Sequence, residues 1–136
     1  NRRIHRYGCL AVCPWNKYAQ ITREASLRAR QELKAPGLDE LVQLDDAAFR
    51  EIFAGSPVKR TGRKRFVRNV LIAIGNSARR DWVSLVEERL SDSSPLVRGA
   101  AVWALWRLNP DRWRVLKDRT LTQETDEYVR SEWALA

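Results

Sequence analysis

The side chains that could do chemistry in this 136-residue chain fall into two groups, thiols near the start and cations near the middle. Both cysteines stand in Cys9-Leu-Ala-Val-Cys13-Pro14. A Cys-x3-Cys-Pro ending closes the iron–sulfur run Cys-x2-Cys-x2-Cys-x3-Cys-Pro, whose thiolates sit on a tight turn and whose last cysteine reaches a second cluster. Proline suits the position after that ligand because it fixes φ and donates no hydrogen bond. A cluster takes four thiolates, so a pair of ordinary thiols is the plainer alternative. The second group is Lys59, Arg60, Arg63, Lys64, Arg65 and Arg68, interrupted by Thr61 and Gly62. Cations leading into a helix start suit phosphates, whose contacts position a nucleic acid without reading its sequence. A merely solvated charge run is the alternative here.

Other chemistries are poorly supplied. His5 is the single histidine, so neither a histidine-rich metal site nor a Ser-His-Asp arrangement can be built from this chain alone. There is no Gly-x-Gly-x-x-Gly and no Gly-rich loop before Lys-Ser/Thr. The carboxylate pairs Asp45-Asp46 and Glu87-Glu88 fall at a helix start and on a solvated face. The chain by itself is not expected to be a complete enzyme.

Net charge is +8 and the isoelectric point about 10.2, a balance that favours a polyanionic partner. The charge is unevenly spread. Residues 36–55 are acidic, with Asp39, Glu40, Asp45, Asp46 and Glu51 against Arg50, whereas 56–80 hold no acid at all. The polyanion site is therefore sought in the N-terminal stretch and in residues 59–80. No apolar run is long enough to cross a membrane, and the N-terminus lacks the apolar core of a secretory signal. Two cysteines this close make no disulfide framework, which fits a reducing, cytoplasmic setting. The first residue, Asn1, and the apolar pattern running to Ala136 read as a piece of a longer protein.

These groups must be positioned by helices. Thr22 to Lys34 reads as a short polar helix ended by Ala35-Pro36-Gly37, and Leu38 to Val42 as the start of another segment. Asp45 or Asp46 is expected to cap a helix through Phe53, with Phe49, Ile52 and Phe53 on one face. The basic stretch is expected as a loop leading into a helix. The chain then repeats: Val67-Arg68, Val97-Arg98 and Val129-Arg130 recur at spacings of 30 and 32 residues. Each begins an apolar helix, and Trp82 to Leu90 supplies another helix between the first two. Two helices in about 30 residues mark an α-solenoid, similar to a short HEAT repeat. Trp103 and Trp133 are expected in the core, while Trp106 and Trp113, beside Arg107, Arg112 and Arg114, could lie exposed and stack on a base.

Two stretches carry a resemblance to a known family. Tyr7-Gly8-Cys9-Leu10-Ala11-Val12-Cys13-Pro14-Trp15-Asn16-Lys17 resembles the second cluster motif of the epoxyqueuosine reductases, which typically read Tyr-Gly-Cys-x2-Cys-x3-Cys-Pro-Trp-Asn-Lys; one cysteine is missing here. Gly55-Ser56-Pro57-Val58-Lys59-Arg60-Thr61-Gly62-Arg63-Lys64-Arg65-Phe66-Val67-Arg68-Asn69-Val70 and the following Leu71 to Asn76 resemble the start of that family's C-terminal helical repeats. The resemblance implies an all-α fold: a short HEAT-like solenoid over residues 58–136, a helical linker over 21–57, and the end of a ferredoxin-like cluster segment over 1–20.

It also implies a function. The complete enzyme reduces the epoxide of epoxyqueuosine in the tRNA anticodon loop, using cobalamin and two [4Fe–4S] clusters. By position, Cys13 would ligate one cluster and Cys9 the other. Arg3, Arg6, Lys59, Arg60, Arg63, Lys64, Arg65 and Arg68 would contact the tRNA backbone. The cobalamin domain, its catalytic acid and the first cluster motif would lie upstream of Asn1, leaving this stretch inactive alone, monomeric and without a membrane. The alternative is a non-enzymatic HEAT-like scaffold that binds RNA or an acidic protein.

Overall fold

A computed structural model describes residues 36–135 together with Pro14 and Tyr18. The chain divides into two units, Asn1–Gln31 and Glu32–Ala136, and every described α-helix belongs to the second. The helix expected over Thr22–Lys34 lies outside the described residues. These contain seven α-helices: α1 (Leu38–Val42), α2 (Asp46–Ile52), α3 (Gly62–Asn76), α4 (Val83–Glu88), α5 (Pro95–Leu108), α6 (Pro110–Gln123) and α7 (Glu127–Leu135). A 3-10 turn over Pro57–Thr61 precedes α3, and two more bracket α4. No strand occurs among the described residues.

Helix starts follow local chemistry. The Asp45 carboxylate accepts the Ala48 N–H at 2.8 Å, and the Asn109 side chain accepts the Arg112 N–H at 3.0 Å. Each satisfies a donor that the first helical turn leaves over. Pro57, Pro95 and Pro110 stand in first turns, where a missing N–H costs nothing. The basic stretch departs from the expected loop: Lys59 and Arg60 ride the 3-10 turn, and Arg63, Lys64 and Arg65 are already helical.

Helix α5 is the centre of the solenoid. Val97, Ala101, Val102, Ala104 and Leu105 are wholly buried around its circumference, as expected of a helix apolar on every side. Helices α3 and α7 make its largest contacts, and α4 and α6 also pack on it. The second helices of successive pairs thus form the continuous layer that helical repeats require. Val67, Leu71 and Ile74 face inward from α3 at helical spacing, and Val129 and Trp133 do so from α7. Each such fully buried aliphatic side chain contributes about 1.5–3 kcal/mol. At the leading end Phe49, Phe53 and Phe66 form a triangle with ring centroids 4.8–5.4 Å apart, fastening α2 to α3.

The tryptophans separate by packing. Trp133 is in the core as expected, and Trp103 is half-buried against it. Trp113 is buried rather than exposed, because its ring packs on Trp133 at 5.5 Å and Lys117 covers it at 4.5 Å. Trp106 remains 37 % exposed. Where α3 and α5 cross, a Cβ on Gly75 would lie 2.6 Å from the Trp103 ring and 3.1 Å from the Ala104 Cα.

Two substitutions, one in α3 and one just past it, test this account by urea denaturation. Ala78, which follows the Ser77 C-cap, has φ 59°. Ala78→Gly is expected to raise stability by about 1 kcal/mol, because glycine tolerates that left-handed position. Gly75→Ala is expected to lower it, since the added methyl forces the Trp103 ring off its seat.

Candidate nucleic-acid interface

The basic edge is built from the turn upward. The glycines that bracket the turn, Gly55 and Gly62, both have φ 73°, a left-handed conformation other residues resist. Between them Lys59 and Arg60 are exposed and border a recess of about 330 Å³ with Gly55, Ser56 and Pro57. Thr61 does not cap α3 with its side chain; its hydroxyl donates to the Val58 carbonyl at 2.7 Å. The first turn of α3 holds no acid, and Lys64 and Arg65 are exposed there. One helical turn further, half-buried Arg68 is steadied by two bonds to Asn69 Oδ1, at 2.9 and 3.2 Å. Lys64, Arg68 and Ile72 stand four residues apart, on one stripe of the helix.

Arg63 does not belong to this edge, and the expectation of a backbone contact there is corrected. Its Nε donates to the Leu44 carbonyl at 2.6 Å, and its two terminal nitrogens grip the Asp92 carboxylate at 2.7 and 3.4 Å. The two side chains are 10 % and 6 % exposed, so the guanidinium is committed inside the fold. The bond to Asp92 raises the Arg63 pKa in spite of burial. Burial alone pushes the Asp92 carboxyl up, but the Arg63 bond, the Ser94 N–H and the charges of Arg63 and Arg89 together hold it below the usual carboxylate range.

The same clasp recurs one repeat on. Arg98 Nε and Nη2 take the Glu124 carboxylate at 2.8 Å each, while Nη1 donates to the Asp92 carbonyl at 2.9 Å. Glu124 Oε1 also accepts the Thr125 and Asp126 N–H groups at 3.1 and 2.9 Å. The Arg98 bond, against burial and with those N–H groups, lowers the Glu124 pKa. Arg130 begins a third step, Nη1 donating to the Glu124 carbonyl at 3.0 Å. Of the three Val-Arg arginines, Arg98 and Arg130 are thus tied to the turns before their helices, and Arg68 is left at the surface edge. Sequence reasoning missed Asp92 and Glu124 as partners; the signal available was an acid three residues before each of the starts at Pro95 and Glu127.

Arg3, Arg6, Cys9 and Cys13 lie outside the described residues, so the structure does not place them beside the basic edge. Among the described residues no three His, Cys, Asp or Glu side chains gather as a metal site. None of the described helices is long and apolar enough to cross a membrane.

A family model for HEAT repeats matches residues 61–136. The chain is 41 % identical over 106 residues to an epoxyqueuosine reductase of Xanthomonas campestris, covering 77 % of this chain and 30 % of that protein. It is 36 % identical over 102 residues to that of Salmonella typhimurium and 33 % over 102 residues to that of Escherichia coli, covering 73 % of this chain and 27 % of each relative. The chain thus spans less than a third of the length of these curated relatives. Among solved structures, one of an epoxyqueuosine reductase with an epoxyqueuosine-modified tRNA-Tyr stem loop superposes with a TM-score of 0.82 at 24 % identity, covering 94 % of this chain and 34 % of that one. That likeness shows the fold. The resemblance seen in the sequence is borne out over the helical part.

The clasps make stability depend on pH in a definite direction. Asp92 and Glu124 have depressed pKa values in the folded chain, so their contribution is full above the unfolded value of about 4 and is lost as pH falls through the folded one. Urea denaturation from about pH 6 down to pH 2 should show that loss, and a shallower fall is expected when Asp92→Asn and Glu124→Gln are combined. At neutral pH Arg98→Met, which strands a buried carboxylate, is expected to cost about 3 kcal/mol.

Proposed function

The chain belongs to the HEAT-repeat family, and from that architecture and its basic edge we propose that it is a tRNA-holding part of an epoxyqueuosine reductase. The whole enzyme would be an oxidoreductase that acts on epoxyqueuosine in tRNA, as the names of the relatives state for them. The observation that carries the proposal is the edge of Lys59 and Arg60 on the 3-10 turn and Lys64, Arg65 and Arg68 on α3, with no acid between residues 56 and 80. Cations gathered on a stretch of chain that holds no acid of its own hold a phosphate backbone by charge and displaced counterions. A rigid solenoid gives that backbone a fixed orientation. Such contacts set register; the modified base is then read elsewhere in the reductase.

The cofactors need residues this chain does not supply alone. A [4Fe–4S] cluster takes four thiolates, and the chain has two cysteines. They do not make a cluster site by themselves. In the proposed enzyme Cys9 and Cys13 each supply one ligand to a different cluster, the other thiolates coming from outside this sequence. Cobalamin is assigned, by resemblance, to parts of the reductase that this chain does not span. The proposed setting is the cytoplasm, where tRNA is modified and thiolates stay reduced. The described residues contain no catalytic constellation, so holding RNA is the activity proposed for the chain by itself.

A salt series on a tRNA anticodon stem-loop, followed by fluorescence anisotropy, tests the proposal. The combined Lys59→Gln, Arg60→Gln, Lys64→Gln and Arg65→Gln variant is expected to bind at least about tenfold more weakly, with a slope of log affinity against log salt flatter by about 0.7–0.9 per lost phosphate contact. Arg63→Gln should lower stability yet leave that slope in place. Absent RNA binding, or binding indifferent to the four neutralisations, would replace this function with that of a scaffold for an acidic protein.

A further inference from the structure

The stripe of α3 that begins at Lys64 runs through Arg68 into a cleft beside the basic edge. About 220 Å³ of open space lies between α3 and α7 over α5, lined by Arg68, Ile72, Gly99, Ala100, Trp103, Tyr128 and Glu132. Gly99 lets the Tyr128 ring lie close on α5, since a Cβ there would stand 2.5 Å from that ring. Ile72 and Tyr128 line it and are 39 % and 44 % exposed. Arg107 lies 5.9 Å over the Trp103 ring.

The polar groups at the cleft carry opposite charges and are not paired with each other. Arg68 donates to Asn69 Oδ1, and Glu132 lines the cleft with Tyr128. Burial first, then the nearby Glu132 carboxylate, raises the Tyr128 pKa, so the phenol stays protonated. A flat ring entering between Ile72 and Tyr128 thus meets a carboxylate acceptor and a guanidinium donor. Guanine is the base that matches both: its N1–H and N2–H can donate to one carboxylate, and its O6 and N7 accept from an arginine. Adenine would turn the N1 lone pair toward the carboxylate. Stacking on the aromatic walls supplies sequence-tolerant affinity.

We propose that the cleft between α3 and α7 is a subsite for one unpaired guanine of the bound RNA, stacked beside Tyr128 and read by Glu132 and Arg68. The subsite rests on the RNA-holding function above and deepens it, since Arg68 joins the cleft to the phosphate edge at Lys64. A backbone lying along that edge delivers a splayed-out base directly between the two helices.

Anisotropy on short single-stranded oligouridylates carrying one central guanosine, adenosine, inosine or abasic site tests the subsite, using the full chain at fixed salt. The guanosine strand is expected to bind about tenfold tighter than the adenosine strand, with inosine, which lacks the amino group, in between. Glu132→Gln should bring the guanosine strand down to the inosine level. Ile72→Trp, which fills the cleft from the solvent side of α3, should also erase the preference, and thermal melting confirms that both variants fold. Equal binding of all four strands by the wild-type chain, with Lys59→Gln and Arg60→Gln still weakening every one, would end the subsite and leave the RNA function standing. A preference for adenosine, or a guanosine preference that survives Glu132→Gln, would overturn the assigned edge. No binding of any strand, nor of the stem-loop, would end both.

Discussion

The structure depends on a carboxylate held between two obligations. Asp92 accepts the Ser94 N–H at the approach to α5 and, with the same group, pairs with Arg63 of the preceding repeat. Glu124 does the same before α7, accepting two backbone N–H groups and the fork of Arg98. A buried ion pair alone is a weak source of stability because each ion must leave water. Here the remaining lone pairs are occupied by backbone donors that would otherwise be orphaned at a helix start. Desolvation is shared among several bonds, and geometry is fixed at the point where one repeat meets the next. Apolar packing makes the layer of α3, α5 and α7 cohere; the clasps set the spacing.

That division of labour decides which cations can serve a partner. Arg63 and Arg98 are taken up by the fold, and Arg112 pairs with Glu87 at 2.7 Å. Lys59, Arg60, Lys64 and Arg65 remain at the surface, with no acid in the turn or in the first turn of α3 to answer them. The positive field of the edge therefore comes from side chains that the structure does not need, carried on α3 and on the turn that leads into it. A flexible basic tail would lose backbone entropy on binding; a side chain on a clasped helix loses only its own.

Much of the architecture was legible in one dimension. The Val-Arg recurrence marked α3, α5 and α7, because helices of one layer repeat an apolar stripe, and in α5 and α7 the arginine is also the tether. Asp45 was legible as a cap because capping is a contact between residues three apart. Arg63 was not, since a run of six cations looks uniform in sequence and its distinguishing partner is 29 residues away. Trp113 failed for a related reason: flanking arginines suggested an exposed ring, but the flanks of a helical residue point elsewhere, and the ring meets Trp133 of the next helix. The aromatic cleft was invisible for the same reason, its lining coming from three helices whose register no local pattern fixes.

Two glycines show how close the framework and the cleft are. Gly75 lets the Trp103 ring lie against α3, and Gly99 lets the Tyr128 ring lie against α5. Neither has positive φ, so neither is required by the backbone; each leaves room for a ring. A helical glycine costs roughly 0.5–1 kcal/mol relative to alanine, and at both positions a ring contact stands against that loss. Tyr128 stays substantially exposed, so its seat on Gly99 is poorly explained by burial alone. It is better explained by position. With the ring drawn down onto α5, the space between α3 and α7 stays open at Arg68 and Glu132, and the layer that holds the solenoid together also keeps a slot at the end of its basic stripe.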